Sequence, residues 1–214
     1  MSDPMALADS FVGTYAVDGR PRDGSLYNGT VRFERKGRFL HAEAQLGGLG
    51  TRHGLAMPFA GRLVMAYGPK DKVEIGAYTH DPNQLRGLWI PPGAASEDLT
   101  GCGHENSVST GTGIWLISDA VAIDGNAYSG TLSITQKPDD DEDPNPVTMD
   151  WKLHDGEYHS FGLQYPDAIY TTFSFEPDQP HGIVVYEGKA ASLIGWRLSN
   201  TSMIAHRESL TKRA

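Results

Sequence analysis

The sequence of 214 residues predicts an all-β fold: an antiparallel meander, closed into one or more barrels and formed by internal duplication. Three observations carry this. Short apolar or alternating runs recur along the chain at roughly 8–12-residue spacing, the rhythm of strands joined by tight turns. Asp-Gly, Gly-Pro and Asp-Pro-Asn fill the gaps, and these residues adopt the backbone angles that turns need. The chain also writes "DGSLYNGTV" at 23–31 and then "DGNAYSGTL" at 124–132.

The duplication extends well beyond that nine-residue match, because further matches follow in the same order. Gly13, Tyr15 and Val17 stand against Gly113, Trp115 and Ile117; Asp23, Tyr27, Gly29 and Thr30 against Asp124, Tyr128, Gly130 and Thr131. Gly54 and Leu55 fall against Gly162 and Leu163, Tyr78 and Gly87 against Tyr186 and Gly195, His104 and Ser107 against His206 and Ser209. The offset changes only where one copy carries "DDDEDPNP" (139–146) or "PPGAASEDLTGCG" (91–103), loop sequences that tolerate insertion. Two repeats result, 1–110 and 111–214, expected to form one compact pseudo-twofold unit. Either two half-barrels close one larger barrel or two small barrels pack together.

Taken in order, the strands of the first repeat are "GTYAV" (13–17), "GTVRFER" (29–35), "RFLHAEAQL" (38–46), "RHGLAM" (52–57), "RLVMAYG" (62–68), "KVEIGAY" (72–78), "LRGLWI" (85–90) and "HENSVS" (104–109). Those of the second are "GIWLIS" (113–118), "GTLSITQ" (130–136), "VTMDWKL" (147–153), "SFGLQY" (160–165), "IYTTFSF" (169–175), "GIVVYEG" (182–188), "LIGWRL" (193–198) and "IAHRESL" (204–210). A helical period is confined to a weak signal at residues 4–11. Long meanders hide their edges by closing, hence a barrel.

The openings Gly13-Thr-Tyr15 and Gly113-Ile-Trp115 resemble the Gly-x-Trp start of calycin barrels, the lipocalin and avidin types. The resemblance implies a barrel with a central cavity for a small, often apolar ligand. It carries no catalytic residues across.

Net charge is −9 and no Lys/Arg cluster is present. Phosphate backbones and anionic membranes are bound through basic stripes, so nucleic acid and membrane are excluded as expected partners. No apolar run has the length of a spanning helix. Cys102 is the only cysteine, and the start "MSDPMALADS" lacks the features of a signal peptide, so a cytoplasmic location is expected. No Walker loop, Rossmann fingerprint, nucleophile elbow or zinc-protease run appears, and no cofactor or metal is expected. "DDDEDP" reads as a solvated acidic loop.

Positions the repeats share read as scaffold; function is sought where they differ on an apolar face. His53 shares a face with Leu55 and Met57 where the second repeat has Phe161, Leu163 and Tyr165. Arg86 shares one with Leu88 and Ile90 against Ile194, Trp196 and Leu198, and His181 stands where the first repeat has Val73. An inward Arg needs a carboxylate or an anionic ligand. The competing readings place each histidine at a strand end with its ring bonded to backbone, and Arg86 on a solvent face if the register slips by one. In "GCGHEN", Cys102, His104 and Glu105 are secondary candidates for a nucleophile, base and acid, although neighbours on a strand face opposite ways.

Three functions follow as expectations. The first is a soluble protein, open to homo-oligomerisation, that binds a small, partly apolar molecule, anionic or neutral, through His53, Arg86, Tyr165 and His181. The second is a cofactor-free isomerase, cyclase or lyase with a cavity histidine as base. The third is an interaction module without a pocket.

Overall fold

Each of the sixteen runs becomes a strand in the computed structural model, which describes residues 4–21, 26–37, 39–48, 50–92, 102–136 and 144–213. Helix α1 (Pro4–Phe11) leads into β1 (Gly13–Arg20), β2 (Tyr27–Lys36), β3 (Phe39–Leu46), β4 (Gly50–Phe59), β5 (Arg62–Gly68), β6 (Val73–Asp81), β7 (Gln84–Ile90) and β8 (Gly103–Ser109). The second repeat supplies β9 (Ile114–Val121), β10 (Ala127–Gln136), β11 (Asn145–Leu153), β12 (Gly156–Gln164), β13 (Ala168–Ser174), β14 (Gly182–Lys189), β15 (Ser192–Ser199) and β16 (Ser202–Lys212). The Asp23-Gly24 turn, most of the 91–103 loop and nearly all of the acidic loop lie outside the described residues.

The strands close two eight-stranded antiparallel barrels, and neither barrel belongs to one repeat. The first is ordered β1-β16-β15-β14-β5-β4-β3-β2; the second is β10-β11-β12-β13-β6-β7-β8-β9. Each takes five strands from one repeat and the last three from the other. The chain crosses between barrels at the short links β5–β6 and β13–β14. The join between repeats is a hairpin within the second barrel, where Thr110 N donates to Ile114 O at 2.9 Å. Its counterpart in the first barrel is the pairing of β1 with β16, which brings the two ends of the described chain together.

Three apolar clusters follow from this exchange. One fills the first barrel: Tyr15, Val31, Phe33, Leu40, Met65, Val184 and Leu210 are buried there, with Ala8 and Phe11 of α1 added at one end. Tyr15 Oη donates to Phe11 O at 3.0 Å, tying the helix to the barrel rim. A second lies between the barrels and includes Leu55, Met57, Val64, Ile75, Ile90, Phe161, Leu163, Tyr165, Ile183 and Val185. A third, with Tyr78, Leu85, Trp115, Leu132, Val147, Met149 and Ile169, packs one end of the second barrel. Strands at the seam are buried on both faces: every residue of β5 from Leu63 to Gly68 is buried. One side of such a strand faces the barrel interior and the other faces the neighbouring barrel.

Because each repeat lacks the last three strands of its own barrel, residues 1–110 and 111–214 produced as separate chains are expected to recombine into a 1:1 complex. Either half alone should be unfolded, or a homodimer that trades its last three strands. A half that is a folded monomer by size-exclusion chromatography and circular dichroism would contradict the exchange.

Candidate functional site

The ladders align the two barrels residue by residue, and this alignment brings out a buried carboxylate in each. Glu105 of β8 lies opposite Gly87 and Ala120; Glu208 of β16 lies opposite Gly195 and Gly19. Both are 2% exposed. Gly87 faces Tyr78 and Gly195 faces Tyr186 across their ladders, and a Cβ on either glycine would collide with that tyrosine ring. The tyrosines of the duplicated nine-residue segments complete the pattern: Tyr27 Oη donates to Glu208 Oε2, and Tyr128 Oη donates to Glu105 Oε2 at 3.0 Å. In each barrel the tyrosine comes from one repeat and the glutamate from the other, so strand exchange assembles the contact.

In the first barrel this carboxylate is neutralised from within. Arg197 of β15, 4% exposed, reaches Glu208 Oε2 with Nε and Nη2, both at 2.7 Å. Its guanidinium lies 4.4 Å from the Tyr67 ring centroid and 5.6 Å from that of Tyr27. Tyr186 Oη donates to the remaining oxygen, Oε1. Burial, followed by the nearby Glu208 charge, pushes the Tyr27 and Tyr186 hydroxyls well above their ordinary pKa. A buried ion pair of this kind repays its desolvation only when its hydrogen bonds are complete, and here both carboxylate oxygens are bonded.

The second barrel replaces that filling with a cavity of about 650 Å³. Trp89 stands at the position of Arg197, Gly76 at that of Val184, and Thr171 at that of Met65. Two side chains in mid-barrel are therefore smaller, and the guanidinium is gone. Among the described residues Glu105 is held by neutral donors alone: Trp151 Nε1 at 3.2 Å, Tyr128 Oη at 3.0 Å and Ser107 Oγ at 3.3 Å. Trp89 Nε1 donates in turn to Tyr128 Oη at 3.1 Å. Burial raises the Glu105 carboxyl above the usual range, and these three donors oppose the rise.

A second carboxyl, Glu74 at the start of β6, lines the same cavity and stands where the first barrel has Gly182. Its side chain makes no hydrogen bond or ion pair among the described residues, and burial raises its pKa to about 7. Ser160, 7% exposed, also lines the cavity, and its buried Oγ has no hydrogen-bond partner among the described residues. The wall is otherwise aromatic, formed by Tyr78, Trp89, Tyr128, Trp151, Tyr158 and Phe173. Phe175, Asp124, Asn126, His154 and Asp155 stand around it on exposed turns at the end away from Trp115. The second copy of the repeated segment thus supplies cavity residues directly: Asp124, Asn126, Ala127 and Tyr128.

The residues singled out from sequence lie elsewhere, apart from Glu105. Arg86 is exposed rather than inward, its guanidinium bonded to Gln84 Oε1 at 2.9 Å, and its counterpart Ile194 is exposed as well. Both lie on the outer face of their barrels, which is open to solvent at these positions and buried in the seam further along, at Ile90 and Leu198. His53 corresponds by ladder to His159, not to Phe161: Glu43 is opposite His53 as Asp150 is opposite His159. The contrast of histidine with phenylalanine came from an alignment two residues off. His53 borders a void of only about 20 Å³ beside His41 and Asp71. Tyr165 is buried in the seam between barrels under the Arg62 guanidinium, 4.3 Å from its ring centroid. His181 sits at a strand end with Nδ1 against Gln179 O at 2.9 Å and its ring 5.3 Å from that of Phe161; burial lowers its pKa. Cys102 packs against the seam, and His104 is exposed on the face opposite Glu105. Among the described residues no group of three or more His, Cys, Asp or Glu side chains is arranged to hold a metal.

Glu74, Trp89, Trp151, Tyr128 and Ser160 were not singled out as site residues from sequence. Glu74 left a legible signal: a carboxylate inside the apolar run "KVEIGAY" where the other repeat has Gly182. Glu105 was named among the candidates, but matching His104 to His206 set it against Arg207 and hid its partner Glu208.

Compared with protein-family models, with curated proteins and with solved structures, the chain has no significant match in any of the three.

The raised carboxyl makes stability depend on pH. Glu74 binds its proton more tightly folded than unfolded, so its contribution is fully present below about pH 4.5 and is lost as pH rises through 7. Glu74→Gln is expected to stabilise the protein at pH 8 by on the order of 1–3 kcal/mol and to flatten the stability profile between pH 5 and 8. Urea unfolding at both pH values checks this; a variant with the parent's pH dependence would contradict it.

Proposed function

We propose that the second barrel binds a small, partly apolar organic molecule and that the first barrel is its structural partner. The observation that carries this is the difference between equivalent interior positions: Arg197, Val184 and Met65 fill the first barrel, while Trp89, Gly76 and Thr171 leave about 650 Å³ open in the second. Cavities of this size, aromatic with a few polar groups to fix orientation, are the usual form of small-molecule sites. The orphan Ser160 hydroxyl and the unbonded Glu74 carboxyl are such polar groups.

The likeness to calycin barrels supports the same reading. Trp115 of Gly113-Ile-Trp115 lies in the packed end of the second barrel, and the cavity occupies the other end. That is the cup expected of a ligand-binding calycin. In the first barrel Tyr15 takes the place of this tryptophan and α1 packs at the same end.

Trp89 and Trp151 stand in the cavity wall and report on occupancy. A library of small aromatic compounds is expected to contain members that change tryptophan emission saturably and raise the melting temperature. Ser160→Leu, which projects bulk into the cavity, should weaken those members tenfold or more while the protein stays folded. Ligands that bind Ser160→Leu and parent equally would place the site elsewhere.

A further inference from the structure

Resting on that reading, we propose that the ligand of the second barrel is an organic cation, an ammonium or amidinium group carried on an apolar or aromatic body. The first barrel shows what this interior demands when it is filled. There the buried Glu208 is met by the guanidinium of Arg197, which lies over the rings of Tyr67 and Tyr27. The second barrel keeps the carboxylate, Glu105, and keeps aromatic rings at the corresponding places: Tyr128 for Tyr27 and Phe173 for Tyr67. It lacks the cation. Among the described residues no Lys, Arg or His lies within ion-pair distance of Glu105 or Glu74.

The other charged groups facing the cavity strengthen the bias. Asp124 and Asp155 stand at its mouth, and among the described residues His154 is the one basic side chain in the lining. Two carboxyls inside and two at the rim repel an anion and attract a cation as it approaches. Inside, the faces of Trp89, Trp151, Tyr158 and Phe173 offer the electron-rich surfaces on which a cation is favoured, most strongly once water is excluded. Among the described residues no group donates to the carboxyl of Glu74, whereas Glu105 already accepts from three side chains. Glu74 is therefore the group assigned to the cation; Glu105, with Trp89 and Tyr128, shapes the wall. The apolar remainder of the ligand packs toward Tyr78 and Thr171 in mid-barrel.

The test uses three probes of one shape, 4-phenylbutylamine, 4-phenylbutanol and 4-phenylbutyrate, titrated calorimetrically into the whole protein at pH 8. The amine is expected to bind at least tenfold more tightly than the alcohol, and the butyrate at least tenfold more weakly. Glu74→Gln should bring the amine to within threefold of the alcohol, both measured on the variant. Its thermal transition, read in parallel, shows that the variant is folded. Butyrate binding as tightly as the amine, or an amine preference that survives Glu74→Gln, would overturn the proposal and leave the cavity reading standing. If none of the three binds, cation and cavity readings fail together.

Discussion

The structure turns on one constraint: a carboxylate taken out of water must be answered by hydrogen bonds and, where it stays ionised, by a positive charge. Each barrel buries a glutamate from the last strand of one repeat against a glycine of the neighbouring strand, under a tyrosine supplied by the other repeat. In the first barrel Arg197 supplies the charge, and the aromatic rings around it close over the pair. In the second, three neutral donors hold Glu105, the position of the arginine is a tryptophan, and the space beyond it is open. One interior is completed by its own side chains; the other is left to be completed from outside.

Strand exchange makes that contrast structural rather than local. Tyr27 of β2 and Glu208 of β16 are 181 residues apart in sequence, whereas Tyr128 and Glu105, their counterparts in the second barrel, are 23 apart across the join between the repeats. Neither barrel closes without both repeats, and both depend on an apolar layer in which β4, β5 and β14 of the first barrel meet β6, β12 and β13 of the second. The filled barrel therefore gives the hollow one a rigid neighbour along its seam. Glu74, at the start of the strand that follows the β5–β6 crossing, is held on that rigid side of the cavity while the turns bearing Asp124 and Asp155 form its mouth.

Much of the fold was legible in the sequence because strand rhythm, turn residues and the repeat are local signals. Every run named there corresponds to a strand, and the weak helical period at 4–11 is α1. The site was less legible, for three physical reasons. Strands at the seam are apolar on both faces, so a buried face at Leu55 and Met57 or at Phe161 and Leu163 points to the other barrel and not into a cavity. A slip of two residues preserves the inward and outward pattern, so matching Gly54 to Gly162 instead of Ser160 left no trace in periodicity while pairing His53 with the wrong residue. A slip of one at the last strand set Glu105 against Arg207, and the conserved feature of the two barrels looked like a difference between them. The exchange itself leaves no sequence mark, because a strand pairs equally well with its own repeat or with the other.

The central claim is that the open barrel takes from outside the positive charge that the filled barrel owns, and one substitution tests it by supplying that charge from within. Trp89→Arg places a guanidinium at the position equivalent to Arg197, beside Glu105 and Tyr128. Calorimetric titration of this variant with 4-phenylbutylamine, alongside its melting temperature, gives the deciding measurement. The expected result is a folded protein, no less stable than the parent, whose affinity for the amine has fallen at least tenfold. A folded variant that binds the amine as tightly as the parent would contradict the claim, and so would one that unfolds because its new arginine finds no partner.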